Sequence, residues 1–232
     1  MNSQQLSHRE LKACATGSSS THLCKLQNQQ LHRHIVADFL ALQTAASKAG
    51  FTLSIASSFR DFDRQRTIWN AKFNQQRPVF DLNQQVVDLS RLTELQKCHA
   101  IMLYSALPGA SRHHFGTDLD VFDQAAIATD YKLQLTTDEY QGDGPFKAMT
   151  AWLDSHLVKF GFYRPYHHYL GGVAAEPWHI SHIKQSTLML NSLTLNALFE
   201  RIECSDVAGK ATILQHLPAL YKRFVINVNP PP

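Results

Sequence analysis

The stretch that decides the fold is Ser111–Phe122, SRHHFGTDLDVF. Its second half, TDLDVF, alternates strictly: Leu119 and Val121 fall on one side of an extended chain, Asp118 and Asp120 on the other. That pattern predicts a strand with one apolar face and one acidic face. Gly116 stands just ahead of it, where the chain can turn tightly, and His113 and His114 precede the turn. Two imidazoles and two carboxylates within ten residues are either a polar turn with no task or half of a metal site. The stretch alone leaves both readings open.

Working outward, FTLSIASSF (Phe51–Phe59) predicts a second strand, with Phe51, Leu53 and Ile55 toward one face. Upstream, Leu31, Ile35, Phe39, Leu42 and Ala46 recur at helical spacing between Gln29 and Ala49, with Gly50 as a stop. Asp61 is placed to cap a helix running to about Phe73, and Pro78 closes the polar loop after it. Thr93–Leu107 and Gly144–Phe160 predict further helices, the latter with Pro145 in its first turn and Gly161 past its end. A strand is expected toward the end of GFYRPYHHYLGGVAAEPWHISHI, and helices over about Thr187–Ile202 and Val207–Leu217. No internal repeat or linker interrupts the series. The expectation is an α+β fold in one domain over 1–232, with a surface-wrapping segment at 1–28 and a C-terminal helical extension at 187–232.

Composition narrows the function. The 232 residues are 44% hydrophobic and 18% charged, as in ordinary globular proteins, with a net charge of only +3. The basic residues are scattered and form no nucleic-acid-binding motif, so no nucleic-acid partner is expected. No apolar run is long enough for a membrane segment, and the first thirty residues lack a secretory core; the reading is cytoplasmic, with periplasm or export by another route as the alternative. Cys14, Cys24, Cys98 and Cys204 form no CxxC pair. A Cys14–Cys24 bridge is conceivable in an oxidising compartment, but reduced thiols are the expectation. Thirteen histidines are the unusual count, and they direct attention to a metal or proton-transfer site.

A catalytic zinc takes three protein ligands and leaves one position for water. His113 and Asp120 are two candidates. The segment EPWH (Glu176–His179) offers a third ligand, His179, together with a carboxylate that can act as base. Residues three apart on a regular strand point to opposite faces, so the two can share a site only if the chain bends; Pro177 makes a bend plausible.

The ordered blocks Ser111-x-His113-x-x-Gly116-x-x-x-Asp120 and Glu176-Pro-Trp-His179 resemble the VanY-type D-alanyl-D-alanine carboxypeptidases of the LAS group of zinc metallopeptidases. SSFRDFDRQ (Ser57–Gln65) is similar to that family's Ser-Gly-Tyr-Arg-(x)4-Gln segment. The resemblance covers roughly Phe51 to Lys184 and implies the LAS fold, a small antiparallel sheet carrying the zinc site with flanking helices. It implies one Zn2+ per chain on His113, Asp120 and His179, zinc-activated water with Glu176 as general base, and Arg60 at the substrate carbonyl or carboxylate, acting in both catalysis and binding. It also implies Gln65 and Ser111 as substrate-binding residues. Two departures stand out: Asp118 where a small residue is usual, and Phe59 for Tyr. The implied activity is removal of a terminal D-amino acid, above all D-Ala, from peptidoglycan-derived stem peptides. L,D-carboxypeptidase or endopeptidase action on murein peptides uses the same chemistry and stays open. A non-catalytic zinc-stabilised binding module for peptide or glycan is the alternative of another class, and Glu176 speaks against it, because a structural zinc has no use for a base. His182 is expected to be structural or at the edge of the cleft, His167 and His168 to lie at the surface or, alternatively, line the substrate groove, Trp178 to pack beside the metal, and His114 to point away from it. The sequence is silent on oligomeric state.

Overall fold

The computed structural model describes residues 6–232. Its elements run in the order α1 (His8–Ala15), β1 (Leu23–Leu26), β2 (Gln29–His32), α2 (Val36–Lys48), β3 (Leu53–Ser57), α3 (Phe62–Phe73), α4 (Glu94–Met102), β4 (Asp118–Asp123), α5 (Thr137–Tyr140), α6 (Lys147–His156), β5 (Phe162–Tyr163), β6 (His179–His182), α7 (Ile183–Ser192), α8 (Leu195–Glu203) and α9 (Lys210–Leu220). The α+β class and the small antiparallel sheet with flanking helices are as expected. β1 and β2 form a hairpin, and the main sheet has the antiparallel order β3-β4-β6-β5.

The alternation in β4 positions everything else. Leu119 and Val121 lie on the face that packs with Leu53 of β3, Ile180 of β6, Phe39 and Leu42 of α2, and Leu153 of α6. The opposite face carries the polar residues: Asp120 is paired in register with His179, and Asp118 with Ser181. On its other edge Asp120 pairs with Ser57 across a bulge between Ile55 and Ser57. A second apolar core lies among α1, α3, α4 and α7–α9, with Trp69, Phe62, Ile101, Leu198 and Leu217 buried in it. Within the expected wrapping segment, residues 1–5 lie outside the described residues. Residues 8–15 are helical, capped by the reciprocal Ser7–Glu10 box, and completely bury Cys14 and Ala15 in that second core.

Several boundaries differ from expectation for local reasons. Gln29–His32 is a strand rather than the first turn of a helix, because it pairs with Leu23–Leu26; α2 starts at Val36, after a 3-10 turn at Arg33–Ile35. Asp61 caps α3 through its side chain, which accepts from the Arg64 amide, and Thr93 and Gln96 box the start of α4. The helix begun at Lys147 tightens to 3-10 at Leu157–Phe160 and ends on Gly161 in the left-handed conformation. The expected Thr187–Ile202 helix is two helices, because Thr194 caps a new one through the Ala197 amide. All four cysteines are free. No helix among the described residues is long and apolar enough to cross a membrane.

Candidate active site

His113 lies in a four-residue 3-10 turn, Arg112–Phe115, that ends on Gly116 at φ +67°. A Cβ at Gly116 would sit 2.4 Å from Leu23 Cδ2 and 3.0 Å from the His32 amide nitrogen, so glycine is required both by conformation and by the hairpin packed on it. The turn aims His113 at Asp120. Its Nδ1 donates to the Ser58 carbonyl at 2.9 Å, which leaves Nε2 as the free nitrogen, 3.3 Å from Asp120 Oδ2.

The bend needed between Glu176 and His179 is present. The His179 amide donates to the Glu176 carbonyl at 3.1 Å, closing a turn with Pro177 in its second position, and β6 begins only at His179. Glu176 Oε2 thereby lies 3.4 Å from His179 Nδ1, which is itself 3.3 Å from Asp120 Oδ1. Donor atoms of His113, Asp120 and His179 all lie within 4.8 Å of one another.

These residues fit a divalent cation. His179 Nδ1 and Asp120 Oδ1 are buried with no hydrogen-bond partner, as expected of atoms whose partner is an ion. Burial alone would push His179 toward its neutral form, yet the carboxylates of Asp118, Asp120 and Glu176 around the ring raise its pKa well above the usual imidazole value. The carboxylates gathered round this ring thus demand a positive charge, which a bound cation would supply. Asp120 shows the converse: burial opposes ionisation, and His113 and His179 outweigh it, holding the carboxyl far below its ordinary range. Two imidazoles and one carboxylate suit zinc among divalent ions, and the set leaves room for a water.

Asp118, the departure from the family pattern, does not face the ion position. It is completely buried. Its Oδ1 accepts from His179 Nε2 at 3.0 Å and from Arg112 Nε at 2.6 Å, and its Oδ2 accepts from Thr117 Oγ1 at 2.7 Å. The bond to Nε2 turns Nδ1 of His179 toward Asp120 and fixes the tautomer that can bind a cation. Arg112 is buried as well and reaches Ser181 Oγ at 2.7 Å. Burial raises the Asp118 pKa, but Arg112 and His179 prevail and bring it to about 2. Arg112 was not legible as a site residue; the available signal was an arginine inside a buried motif six residues from an unexpected aspartate.

Burial pushes Glu176 up from its ordinary value, opposed by the neighbouring His179. A raised carboxyl suits proton transfer near neutrality. Arg60 lies between β3 and α3, its amide bonded to the His113 carbonyl at 3.1 Å. Its Nη1 donates to Gln65 Oε1 at 2.7 Å, and Gln65 Nε2 donates to the Ala106 carbonyl at 2.7 Å. Both ends of the Gln65 amide are thus engaged and the residue is 0% exposed; it props the guanidinium rather than facing the cavity. Ser111 does face it. His114 points away: Nδ1 donates to the Arg60 carbonyl and Nε2 accepts from the Gly109 amide at 3.1 Å, so this buried ring ties the Arg60 loop to the histidine turn. Trp178 packs on Tyr140, ring centroids 5.6 Å apart, at the cavity wall. His182 turns to Asp38, Nε2 to Oδ2 3.0 Å, and caps α7. His167 and His168 are exposed and line a separate depression.

The ion position opens into a cavity of about 810 Å³ bordered by Arg60, Ser111, Glu176, Trp178 and Tyr166. The assembly can bind a cation, hold an anionic group at Arg60, and move a proton at Glu176.

A family model described as D-alanyl-D-alanine carboxypeptidase, VanY, matches residues 28–185. A Haemophilus influenzae protein described only as uncharacterized is 47% identical over 97 residues, 40% of this chain and 66% of that protein, just under two thirds of its length. Among solved structures, VanYB in complex with D-Alanine-D-Alanine is 21% identical, with TM-score 0.52, covering 79% of this chain and 89% of that one. A mutant of the vancomycin-resistance D,D-pentapeptidase VanY, in complex with Zn(II), is also 21% identical, with TM-score 0.50, covering 76% of this chain and 88% of that one. These likenesses show the shared fold.

Proposed function

The chain belongs to the VanY D-alanyl-D-alanine carboxypeptidase family, and from that premise we propose that it is a zinc-dependent carboxypeptidase that removes the terminal D-amino acid, above all D-Ala, from peptidoglycan stem peptides. One observation carries the reading: the donor atoms of His113, Asp120 and His179 converge within 4.8 Å, with Glu176 Oε2 3.4 Å from one of them, at the head of a cavity that also holds Arg60.

The residues divide the work. His113 Nε2, Asp120 and His179 Nδ1 would hold the ion. When bound, it supplies Lewis acidity, lowering the pKa of a water toward about 7 and drawing charge from the scissile carbonyl. Glu176 accepts a proton from the attacking water at Oε2 and returns it to the departing amine nitrogen. Arg60, held flat by Gln65, receives the terminal carboxylate through its planar fork, and Ser111 borders the same pocket. Asp118 and Arg112 hold the His179 ring in place.

The test is mass spectrometry of muropeptides incubated with zinc-loaded protein. Loss of one alanine from pentapeptide stems supports the reading. Loss from tetrapeptide stems only moves the specificity to the L,D bond, and cleavage within the stem moves it to an endopeptidase. Glu176→Gln must lower turnover at least about 100-fold while zinc stays bound. Zinc binding with no cleavage of any stem overturns the enzyme in favour of a binding module.

A further inference from the structure

The cavity holds more positive charge than one terminal carboxylate requires. Arg60 serves that carboxylate, and the charge of Arg112 is matched by Asp118 at 2.6 Å. Two further cations border the same cavity, Lys72 and Arg77. Among the described residues neither has a carboxylate within 4.0 Å. Three acids share the wall with them: Asp120 and Glu176 at the ion, and Asp138, which pairs with neither cation.

Their placement comes from α3. Gln65, Ile68 and Lys72 recur on one helix face at spacings of three and four. Gln65 carries Arg60 at one end of that face, and Lys72 occupies the last turn at the other. Lys72 Nζ donates to Ser105 Oγ at 2.6 Å, while Gln65 reaches the carbonyl of the next residue, Ala106, at 2.7 Å. The ammonium and the Arg60 anchor therefore stand on one wall of the same cavity. Arg77 is fixed just past the helix by its amide bond to the Ala71 carbonyl at 3.1 Å, with its side chain exposed at the rim. Burial, and after it repulsion from Arg77, lowers the Lys72 pKa to about 8. A half-buried ammonium bonded only to a neutral hydroxyl, beside a second cation, is what an anion-binding position looks like before its anion arrives.

We propose that Lys72, with Arg77 at the rim, forms a subsite for a second carboxylate of the peptide, so that the preferred substrate is a stem peptide with a free side-branch carboxylate as well as its C-terminal one. The inference rests on the carboxypeptidase reading of the cavity. It selects among stem peptides by charge: amidation of that second carboxylate converts a good ligand into a poor one.

The experiment uses matched synthetic peptides ending in D-Ala-D-Ala, with glutamate or glutamine at each of the three preceding positions. Binding is measured by calorimetry on the zinc-loaded full chain carrying Glu176→Gln, and turnover on the wild-type base. At one position the carboxylate peptide binds at least about tenfold tighter than its carboxamide twin, the increment of a charge-assisted hydrogen bond. Lys72→Met collapses that ratio toward one, and the exposed-site variant Arg77→Gln reduces it partway; circular dichroism verifies that both fold. Equal binding of the twins at all three positions overturns the subsite, as does a ratio that survives Lys72→Met. A preserved binding ratio with no turnover of any peptide sinks the carboxypeptidase reading and leaves the subsite standing. Turnover with no ratio does the reverse.

Discussion

Replacing Asp118 by asparagine isolates one charge from an otherwise intact network. Asparagine has the shape of aspartate, and its carbonyl oxygen can still accept from His179 Nε2 and Arg112 Nε, the bonds now 3.0 and 2.6 Å long. Its amide can donate to Thr117 Oγ1, which at present donates to Asp118 Oδ2. What disappears is the negative charge facing Arg112, with both residues buried. Breaking a buried pair from one side costs about 3–5 kcal/mol, because the remaining charge is uncompensated. That is a large part of the roughly 5–15 kcal/mol typical of a domain. The second effect is on the metal. A ligating imidazole that loses its carboxylate acceptor typically weakens metal affinity about 10–100-fold. Urea unfolding of the metal-free protein and competitive zinc titration against a chelator read the two effects separately. The double variant Arg112→Met with Asp118→Ala removes both charges, so most of the stability returns while zinc affinity stays weakened. If Asp118→Asn alone leaves the urea midpoint and the zinc affinity unchanged, Asp118 neither balances Arg112 nor orients His179, and the network does not exist as drawn.

Other substitutions and conditions have equally definite outcomes. Gly116→Ala puts a Cβ 2.4 Å from Leu23 Cδ2 at φ +67°, so it lowers stability by at least about 1–3 kcal/mol, measured by urea unfolding. Burial lowers the pKa of His22 to about 4 and of His32 to about 3. Below pH 6.5 the unfolded chain takes up protons that the folded chain refuses, so stability falls as pH drops from 6.5 toward 4. A series of urea midpoints tracks this loss, and His32→Gln flattens it. Glu176→Gln lowers kcat about 10²–10⁴-fold with unchanged zinc stoichiometry. Arg60→Lys keeps the charge but loses the fork that Gln65 holds, so its main effect is a raised KM for peptides with a free C-terminus.

The site was legible in the sequence where chemistry and short-range pattern agree. The β4 alternation fixes which faces Leu119 and Asp120 take, Asp61 announces its helix, and Pro177 signals the turn that lets Glu176 and His179 meet. Information held in tertiary contacts was not legible. Residues Gln29–His32 share the helical spacing of Ile35 and Phe39, yet pair as a strand because Leu23–Leu26 lies beside them. Gln65 resembled a ligand-binding residue, and only the packing of α3 on Ala106 reveals that it supports Arg60. Arg112, Asp118 and His179 form a network whose Asp118–His179 bond joins residues 61 positions apart, and no local pattern encodes that arrangement. Nothing in the local sequence marks Lys72, since its significance depends on which cavity its helix face borders.

X-ray absorption at the zinc edge of the loaded protein tests the central claim most directly. It should show one ion per chain with nitrogen and oxygen neighbours only, two of them imidazoles, and an exchangeable water completing the shell. Sulfur neighbours, a shell filled entirely by protein, or a spectrum unaltered in His179→Ala would mean that His113, Asp120 and His179 do not hold the ion together.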